Sequence, residues 1–182
     1  MKWKYLLLGC GVCVGLCGVV VVAGVLYLGL GIESGRVPDT VALPKSKIHS
    51  NTLKTLREMG VIEAQEEVQY FYSEGFLSIE ATGNLFTDSR VIAYRTDDEG
   101  LQLYAATYPE IAAVDFVPSE SWLDDSTLTI TTHDGDWFVL FVSAESQGDD
   151  LFYQRLLEYW QRAGGGDGGN AEAPRSPEAS PP

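Results

Sequence analysis

Three cysteines near the amino terminus are the first residues whose type and spacing could do chemistry. Cys10, Cys13 and Cys17 follow a C-x₂-C-x₃-C pattern, which could bind zinc or an iron–sulfur cluster as thiolates. A tetrahedral set needs a fourth ligand, and no histidine or further cysteine lies nearby. The surrounding stretch is apolar, where a thiolate is strongly disfavoured. The sequence therefore predicts that these cysteines are small apolar residues of a membrane segment and bind no metal.

Carboxylates form a second group that could bind a ligand. Calcium takes six to eight oxygen ligands, and closely spaced acids could supply several of them. None of the acid pairs follows the EF-hand spacing, and charged turns also keep sheet edges soluble. Solvated turns are the favoured interpretation, and a small-molecule or calcium sensor is the alternative. The candidate calcium ligands are Asp97, Asp98, Asp124 and Asp125.

Nucleophilic catalysis has little support in the sequence. His133 and Asp134 are neighbours, but an Asp134-Gly135 turn already explains the aspartate. No cysteine follows Cys17, and Ser73 lacks the first glycine of a G-x-S-x-G elbow. Neither H-E-x-x-H nor G-x-x-x-x-G-K-[ST] is present. We therefore expect a protein that is not an enzyme and has no cofactor, with a hydrolase around His133 as a remote alternative.

Two single residues are candidates for binding. Arg90 could hold an anion, although an arginine beside an acid such as Asp88 more often forms a local ion pair that fixes a turn. Trp122 lies in the predicted loop VPSESWLDDS, where an exposed tryptophan could anchor a partner protein. Both residues depend on the elements that position them.

The amino-terminal segment predicts a membrane anchor. Tyr5 to Ile32 contains 28 residues without a charge, and about 20 apolar residues suffice to cross a bilayer. Lys2 and Lys4 precede this transmembrane helix in a short basic stretch, residues 1–4. The positive-inside rule favours a cytoplasmic amino terminus and an extracytoplasmic domain in a single-pass cell-membrane protein. Basic residues after the span, such as Arg36, leave the opposite orientation open.

Glycines in the predicted span suggest contact between helices. Gly11, Gly15 and Gly18 share one helix face, and Gly11-x-x-x-Gly15 fits the small-xxx-small pattern of closely packed membrane helices. This pattern is compatible with a homodimer through the span. The alternative is that glycine is simply frequent in membrane helices.

The rest of the chain divides by composition. Residues 33–47 are a predicted linker, residues 48–61 contain a short helix capped by Ser50 and ended by Gly60, and residues 62–163 form the folded domain. The Gly/Pro-rich tail, residues 164–182, is predicted to be disordered because it has no apolar period.

The domain is predicted to be mainly β, with about seven strands followed by one helix. Asp134-Gly135 joins the clearest hairpin, whose return strand is apolar on both faces, so we expect the short helix or the C-terminal helix to cover its second side. The helix places Phe152, Leu156 and Tyr159 on one face and stops at Gly164. The predicted strands are EVQYFYS, GFLSIEAT, the run NLFTDSRVIAYR, LQLYAATY, EIAAVDFV, TLTITTH and DWFVLFVS.

The stretch GNLFTDSRVIAYR resembles the L-T-N/D-x-R-(hydrophobic)-I-x-Y stretch of bacterial PH-like domains, relatives of the pleckstrin-homology and GRAM superfold. The resemblance covers about residues 62–163 and implies a seven-stranded barrel capped by a C-terminal helix. It implies no shared catalytic residues, and many bacterial members are attached to membrane spans. The matching residues are Phe86, Thr87, Asp88, Arg90, Val91, Ile92 and Tyr94.

Charge restricts the partners of this domain. Between Glu63 and Arg162 there are 20 acidic side chains and four basic ones, so binding to nucleic acid is not expected. Relatives that bind phosphoinositides use basic residues around the first hairpin, whereas this hairpin reads YSEGF and carries Glu74. We therefore expect a membrane-anchored interaction or scaffold module whose partner is a protein.

Overall fold

The computed structural model describes Val19, Val22, Ala23 and residues 38–75, 78–121 and 124–165. Among the described residues from 38 to 165 there are eight strands and two α-helices, connected in places by short 3₁₀ turns. In chain order these elements are β1 (Leu43–Pro44), α1 (Ser50–Glu58), β2 (Val68–Tyr72), β3 (Thr82–Thr87), β4 (Arg90–Asp97), β5 (Gly100–Thr107), β6 (Ile111–Val117), β7 (Asp125–Thr132), β8 (Trp137–Ser143) and α2 (Gly148–Arg162).

The strands form two antiparallel sheets. The first has the order β1-β2-β3-β4-β5 and the second the order β6-β7-β8. The prediction of a mainly β domain with a C-terminal helix is confirmed.

The prediction of a single seven-stranded barrel is wrong for the described residues, because the two sheets do not close into one. A 3₁₀ turn, Tyr108–Glu110, separates β5 from β6. The Asn84 side-chain amide of β3 donates to the Phe141 carbonyl of β8 at 2.8 Å and links the two sheets without a shared backbone ladder.

The central core lies between the two sheets and α2. Phe86 of β3 and Phe152 of α2 are fully buried and pack edge to face, with ring centroids 5.0 Å apart. Leu128 and Leu140 supply the second sheet's side of this core, and Trp160 donates its indole N–H to the Ile111 carbonyl. The amphipathic face predicted for α2 is therefore the face that fills this core.

A second apolar cluster covers the outer side of the first sheet. Leu56 of α1 is fully buried there with Phe71, Leu85 and Ile92, whose neighbours in sequence point into the central core. The expectation that α1 or the C-terminal helix would cover the second side of β8 is wrong, since α1 lies on the other sheet and α2 lies in the central core. Helix α2 packs on the inner side of β8. The outer side of β8 therefore stays exposed, and the Trp137 side chain there is 67% exposed.

Two predicted strands differ in the structure. GFLSIEAT was expected to be a strand, but Ser78–Ala81 form turns and β3 begins at Thr82. The run NLFTDSRVIAYR contains two strands, β3 and β4, because the Thr87 hydroxyl accepts the backbone N–H groups of Ser89 and Arg90 and so stabilises a tight turn.

The helix ends agree closely with the sequence. Helix α1 begins at Ser50 with His49 as its N-cap, so the predicted cap is one residue too late. Gly60 and Gly164 adopt φ values of +77° and +88° after the two helices, a conformation that favours glycine and ends a helix.

Most of the predicted membrane anchor lies outside the described residues. In residues 5–32 only Val19, Val22 and Ala23 are described, and they are helical. The three cysteines, the glycines of the helix-packing pattern and the tail beyond residue 165 lie outside as well. Within the described part of the chain, no helix has the length and apolarity needed to cross a bilayer.

Candidate functional site

Arg90, the candidate anion ligand, pairs with a buried glutamate. Its Nε and Nη2 donate to Glu66 Oε1 and Oε2, each at 2.7 Å, and Glu66 is only 7% exposed. The Ser89 hydroxyl and the Glu63 backbone N–H donate to the same carboxylate. The neighbouring Asp88, which the sequence suggested as the ion-pair partner, instead accepts the Glu67 backbone N–H.

The Glu66 environment fixes its charge. The hydrogen bond from Arg90 is the largest influence on its pKa, and burial opposes that influence. The Glu63 N–H adds to the effect of Arg90, so the pKa of Glu66 falls to about 2. The guanidinium donors that face Glu66 are therefore already used in this ion pair. The sequence analysis did not identify Glu66 as a partner of Arg90. The sequence shows only that an acidic residue lies shortly before strand β2.

The first pair of candidate calcium ligands lies in the β4–β5 turn. Asp97 Oδ1 accepts the Glu99 backbone N–H at 2.9 Å, and Asp97 Oδ2 accepts from Gln102 Nε2 at 2.6 Å. Asp98 is exposed in the same turn. The observed role of Asp97 is to hold the turn that brings β5 back along β4.

The second pair lies where the two sheets meet. The Tyr72 hydroxyl of β2 lies 3.0 Å from both carboxylate oxygens of Asp125, at the start of β7. Burial raises the pKa of Asp125, the hydrogen bond from Tyr72 lowers it, and the charge of Asp124 raises it further. Burial also raises the pKa of the Tyr72 hydroxyl. The Glu74 carboxylate is partly buried as well, and the loss of water around it raises the pKa of Glu74.

The structure does not gather these acids into a metal centre. Within the described ranges, no group of three His, Cys, Asp or Glu side chains is arranged to hold a metal ion. His133 is exposed in the β7–β8 turn, and its backbone N–H donates to the Glu110 carbonyl. Trp122 lies outside the described residues.

Apolar side chains are exposed on the outer sheet face, which we define as the side of β6, β7 and β8 that points away from the core. Trp137 is 67% exposed and Val117 is 63% exposed. The strand register places threonines and one charge, Asp115, between these apolar residues. Asp125, two residues before Thr127 on the same side, lies at the end of the face and bonds to the Tyr72 hydroxyl. The members of the outer sheet face are Ala113, Asp115, Val117, Thr127, Thr129, Thr131, Trp137, Val139 and Phe141.

The edge of the first sheet is exposed as well. Strand β5 pairs with β4 on one side, and no other strand in the described part of the chain pairs with its second side. Leu101 and Leu103 are each 39% exposed and Tyr104 is 50% exposed. Sequence reasoning identified the strand but not its edge position, since that depends on long-range pairing.

Comparison with known proteins gives matches to structures only. No protein-family model matches the chain, and no curated protein matches it in sequence. A DUF1696 family protein with a pleckstrin-homology domain from Shewanella loihica is 12% identical, with a TM-score of 0.44 over 67% of this chain and 94% of that chain. A pleckstrin-homology domain from Shewanella amazonensis is 16% identical, with a TM-score of 0.43 over 59% of this chain and 86% of that chain.

Proposed function

We propose that the chain is a single-pass membrane-anchored PH-like module whose domain binds a partner protein. The order of strands β2–β5 in one sheet, strands β6–β8 in a second and a C-terminal helix supports the PH-like part of this proposal. In the proposed arrangement residues 5–32 span the cell membrane, the amino terminus is cytoplasmic and the domain is extracytoplasmic. Gly11, Gly15 and Gly18 would face a second copy of the span.

The outer sheet face is the observation that carries the proposed binding function. A strongly acidic domain has few uncharged surfaces, and this one exposes Trp137, Phe141 and Val117 around one charge, Asp115, with Asp125 at its end. Monomeric proteins rarely leave contiguous apolar patches uncovered unless the patch binds something. Tryptophan and other aromatic residues are enriched at protein interfaces, where they supply much of the binding energy.

The loop between β2 and β3 supports a protein partner over a phosphoinositide. Glu74 occupies this loop, and its carboxylate accepts a hydrogen bond from Asn84 Nδ2 at 3.1 Å. A phosphate group would meet two carboxylates here, Glu74 and the nearby Asp125, against one cation, Arg95.

Site-specific photocrosslinking in cells that produce the full chain tests the proposal. A photoreactive residue in place of Thr129 lies at the centre of the outer sheet face, and one in place of the exposed Gln161 of α2 is the matched control. We expect a discrete protein adduct from position 129 only, and its loss in Trp137→Ser. Equal adducts from both positions, or none from any position on the outer sheet face, would contradict the proposal.

Membrane orientation is tested separately with a reporter fused after Pro182 that is active on one side of the membrane only. Activity outside the cytoplasm supports the proposed orientation and directs the search to envelope proteins. Activity in the cytoplasm reverses the orientation, and basic cytosolic proteins then become the first partners to test.

A further inference from the structure

The backbone groups that β5 leaves unpaired can be identified from the ladder. Tyr108 N–H donates to the Ser89 carbonyl, one step beyond the Arg90–Thr107 pair, so that pair is not hydrogen-bonded. Bonded and non-bonded pairs alternate in an antiparallel ladder. The N–H and C=O groups of Leu101, Leu103, Ala105 and Thr107 therefore point away from β4.

One end of this edge is closed by the chain itself. The Thr107 backbone N–H donates to Glu110 Oε2 at 2.8 Å, which agrees with its direction away from β4. Among the described residues, no strand pairs with the outward backbone groups of Leu101, Leu103 and Ala105. We name this five-residue stretch, from Leu101 to Ala105, the open β5 edge.

The side chains and composition of the open β5 edge also favour pairing. Leu101 and Leu103 continue the side of the sheet that α1 covers, since Leu103 lies opposite the buried Tyr94. Tyr104 is half exposed on the opposite side. Proteins normally protect edge strands with charges, proline or bulges, and β5 has no charged residue and no proline between Gly100 and Thr107.

Charges at the two ends favour a basic partner. The turn before β5 exposes Asp97, Asp98 and Glu99, and Glu110 is exposed beyond its other end. Arg95, the nearest basic residue on β4, lies opposite Gln102, one strand in from the edge. A second copy paired antiparallel about Leu103 would bring the acidic turn of each copy beside Glu110 of the other, which is repulsive.

We propose that the open β5 edge binds an extended polypeptide segment as an additional strand, with an uncharged core of about five residues flanked by Lys or Arg. This inference goes beyond the proposed binding function, because it assigns a second site on the first sheet and names the chemistry of its occupant. Backbone hydrogen bonds to Leu101, Leu103 and Ala105 supply pairing, and the leucines and Tyr104 contact alternate side chains of the added strand.

The test uses the full chain in detergent micelles and a synthetic peptide with the core Val-Thr-Val-Thr-Val between two lysines. We expect saturable binding by fluorescence anisotropy and slower amide exchange in Leu101–Ala105. The same core between two glutamates should bind at least about tenfold weaker, a difference of about 1.4 kcal/mol. Equal binding of both peptides, or no change in exchange of β5 at saturation, overturns the proposal.

Backbone variants separate strand addition from apolar contact. Ala105→Pro removes an outward N–H without breaking the ladder to β4, whereas Ala105→Thr keeps that N–H and is the matched control. A second version of the test leaves the protein unchanged and modifies the peptide. In the lysine-flanked peptide, N-methylation of alternate core amides removes the N–H donors along one edge of the added strand. At least about tenfold weaker binding is expected from the proline variant and from the peptide methylated on the pairing edge. Unchanged binding in both overturns the proposal.

Two further results distinguish this inference from the other proposals. A concentration-dependent dimer that Ala105→Pro abolishes would assign the open β5 edge to a second copy and overturn the peptide proposal. Peptide binding that persists in Trp137→Ser supports a site on β5 independent of the outer sheet face. Absence of the adduct from position 129 therefore contradicts the proposed function. Absence of slower amide exchange in β5 contradicts this inference.

Discussion

Arg90 and Glu66 bond at two points, with Nε–Oε1 and Nη2–Oε2 distances of 2.7 Å each. The pair joins the segment between α1 and β2 to the first residue of β4, and the two residues are separated by 24 positions in sequence. Arg90 also donates to the Val61 carbonyl, just beyond α1. The ion pair therefore holds the connection that follows α1 against the first sheet.

Replacement of Glu66 by glutamine should destabilise the fold. Glu66→Gln leaves the partly buried Arg90 without its countercharge, and removal of one partner of a buried pair is strongly destabilising. We expect a loss of about 2–3 kcal/mol in the free energy of unfolding, since Arg90 keeps some exposure to solvent. Urea unfolding followed by tryptophan fluorescence measures it. Glu58→Gln, in an exposed pair with Lys54, is the control and should change little.

The Glu66–Arg90 pair should make the free energy of unfolding depend on pH in the acidic range. The pKa of Glu66 falls from its ordinary value of 4.5 to about 2, chiefly through the Arg90 hydrogen bond. A carboxyl whose folded pKa is lowered stabilises the fold above its unfolded pKa and loses this contribution as pH falls through the folded value. The stability difference between the unchanged protein and Glu66→Gln should therefore shrink from pH 4.5 to pH 2. A constant difference over that range would contradict the assignment.

Asp125 should act in the opposite direction. Burial raises its pKa, so its stabilising contribution is present at low pH and is lost as pH rises through the folded value. Asp125→Asn keeps an acceptor for the Tyr72 hydroxyl but cannot ionise. The variant should therefore gain stability relative to the unchanged protein on going from pH 4 to pH 8, as measured by thermal unfolding. Asp98→Asn, in an exposed turn, should show no such gain.

The local elements were largely predictable from the sequence. The β7–β8 hairpin follows from alternation of Leu128 and Ile130 with threonines and from the Asp134-Gly135 turn, where Gly135 adopts φ +91°. Helix α2 follows from its apolar period and its glycine stop. In both cases the residues that decide the structure are close together in the sequence.

Long-range packing limited the rest of the prediction. The apolar residues of GFLSIEAT suggested a strand, but Ile79 is buried in a turn, where its carbonyl accepts the Tyr94 hydroxyl. Apolar character predicts burial without specifying strand or loop. The Glu66–Arg90 pair and the open side of β5 depend on contacts between segments that are distant in the sequence. A single sequence does not show which distant segments are in contact.

Helix α1 should be an integral part of the domain, although the sequence placed it in a separate segment. Leu56 is fully buried against Phe71, Leu85 and Ile92, so Leu56→Ala removes side-chain contacts and leaves a cavity. We expect a loss of about 2–4 kcal/mol in the free energy of unfolding in urea. Leu151→Ala, on the exposed side of α2 at 54% exposure, is the matched control and should cost well under about 1 kcal/mol. If the two variants were equally stable, α1 would pack too loosely on the first sheet to belong to the domain, and the two-sided burial of β2, β3 and β4 would be refuted.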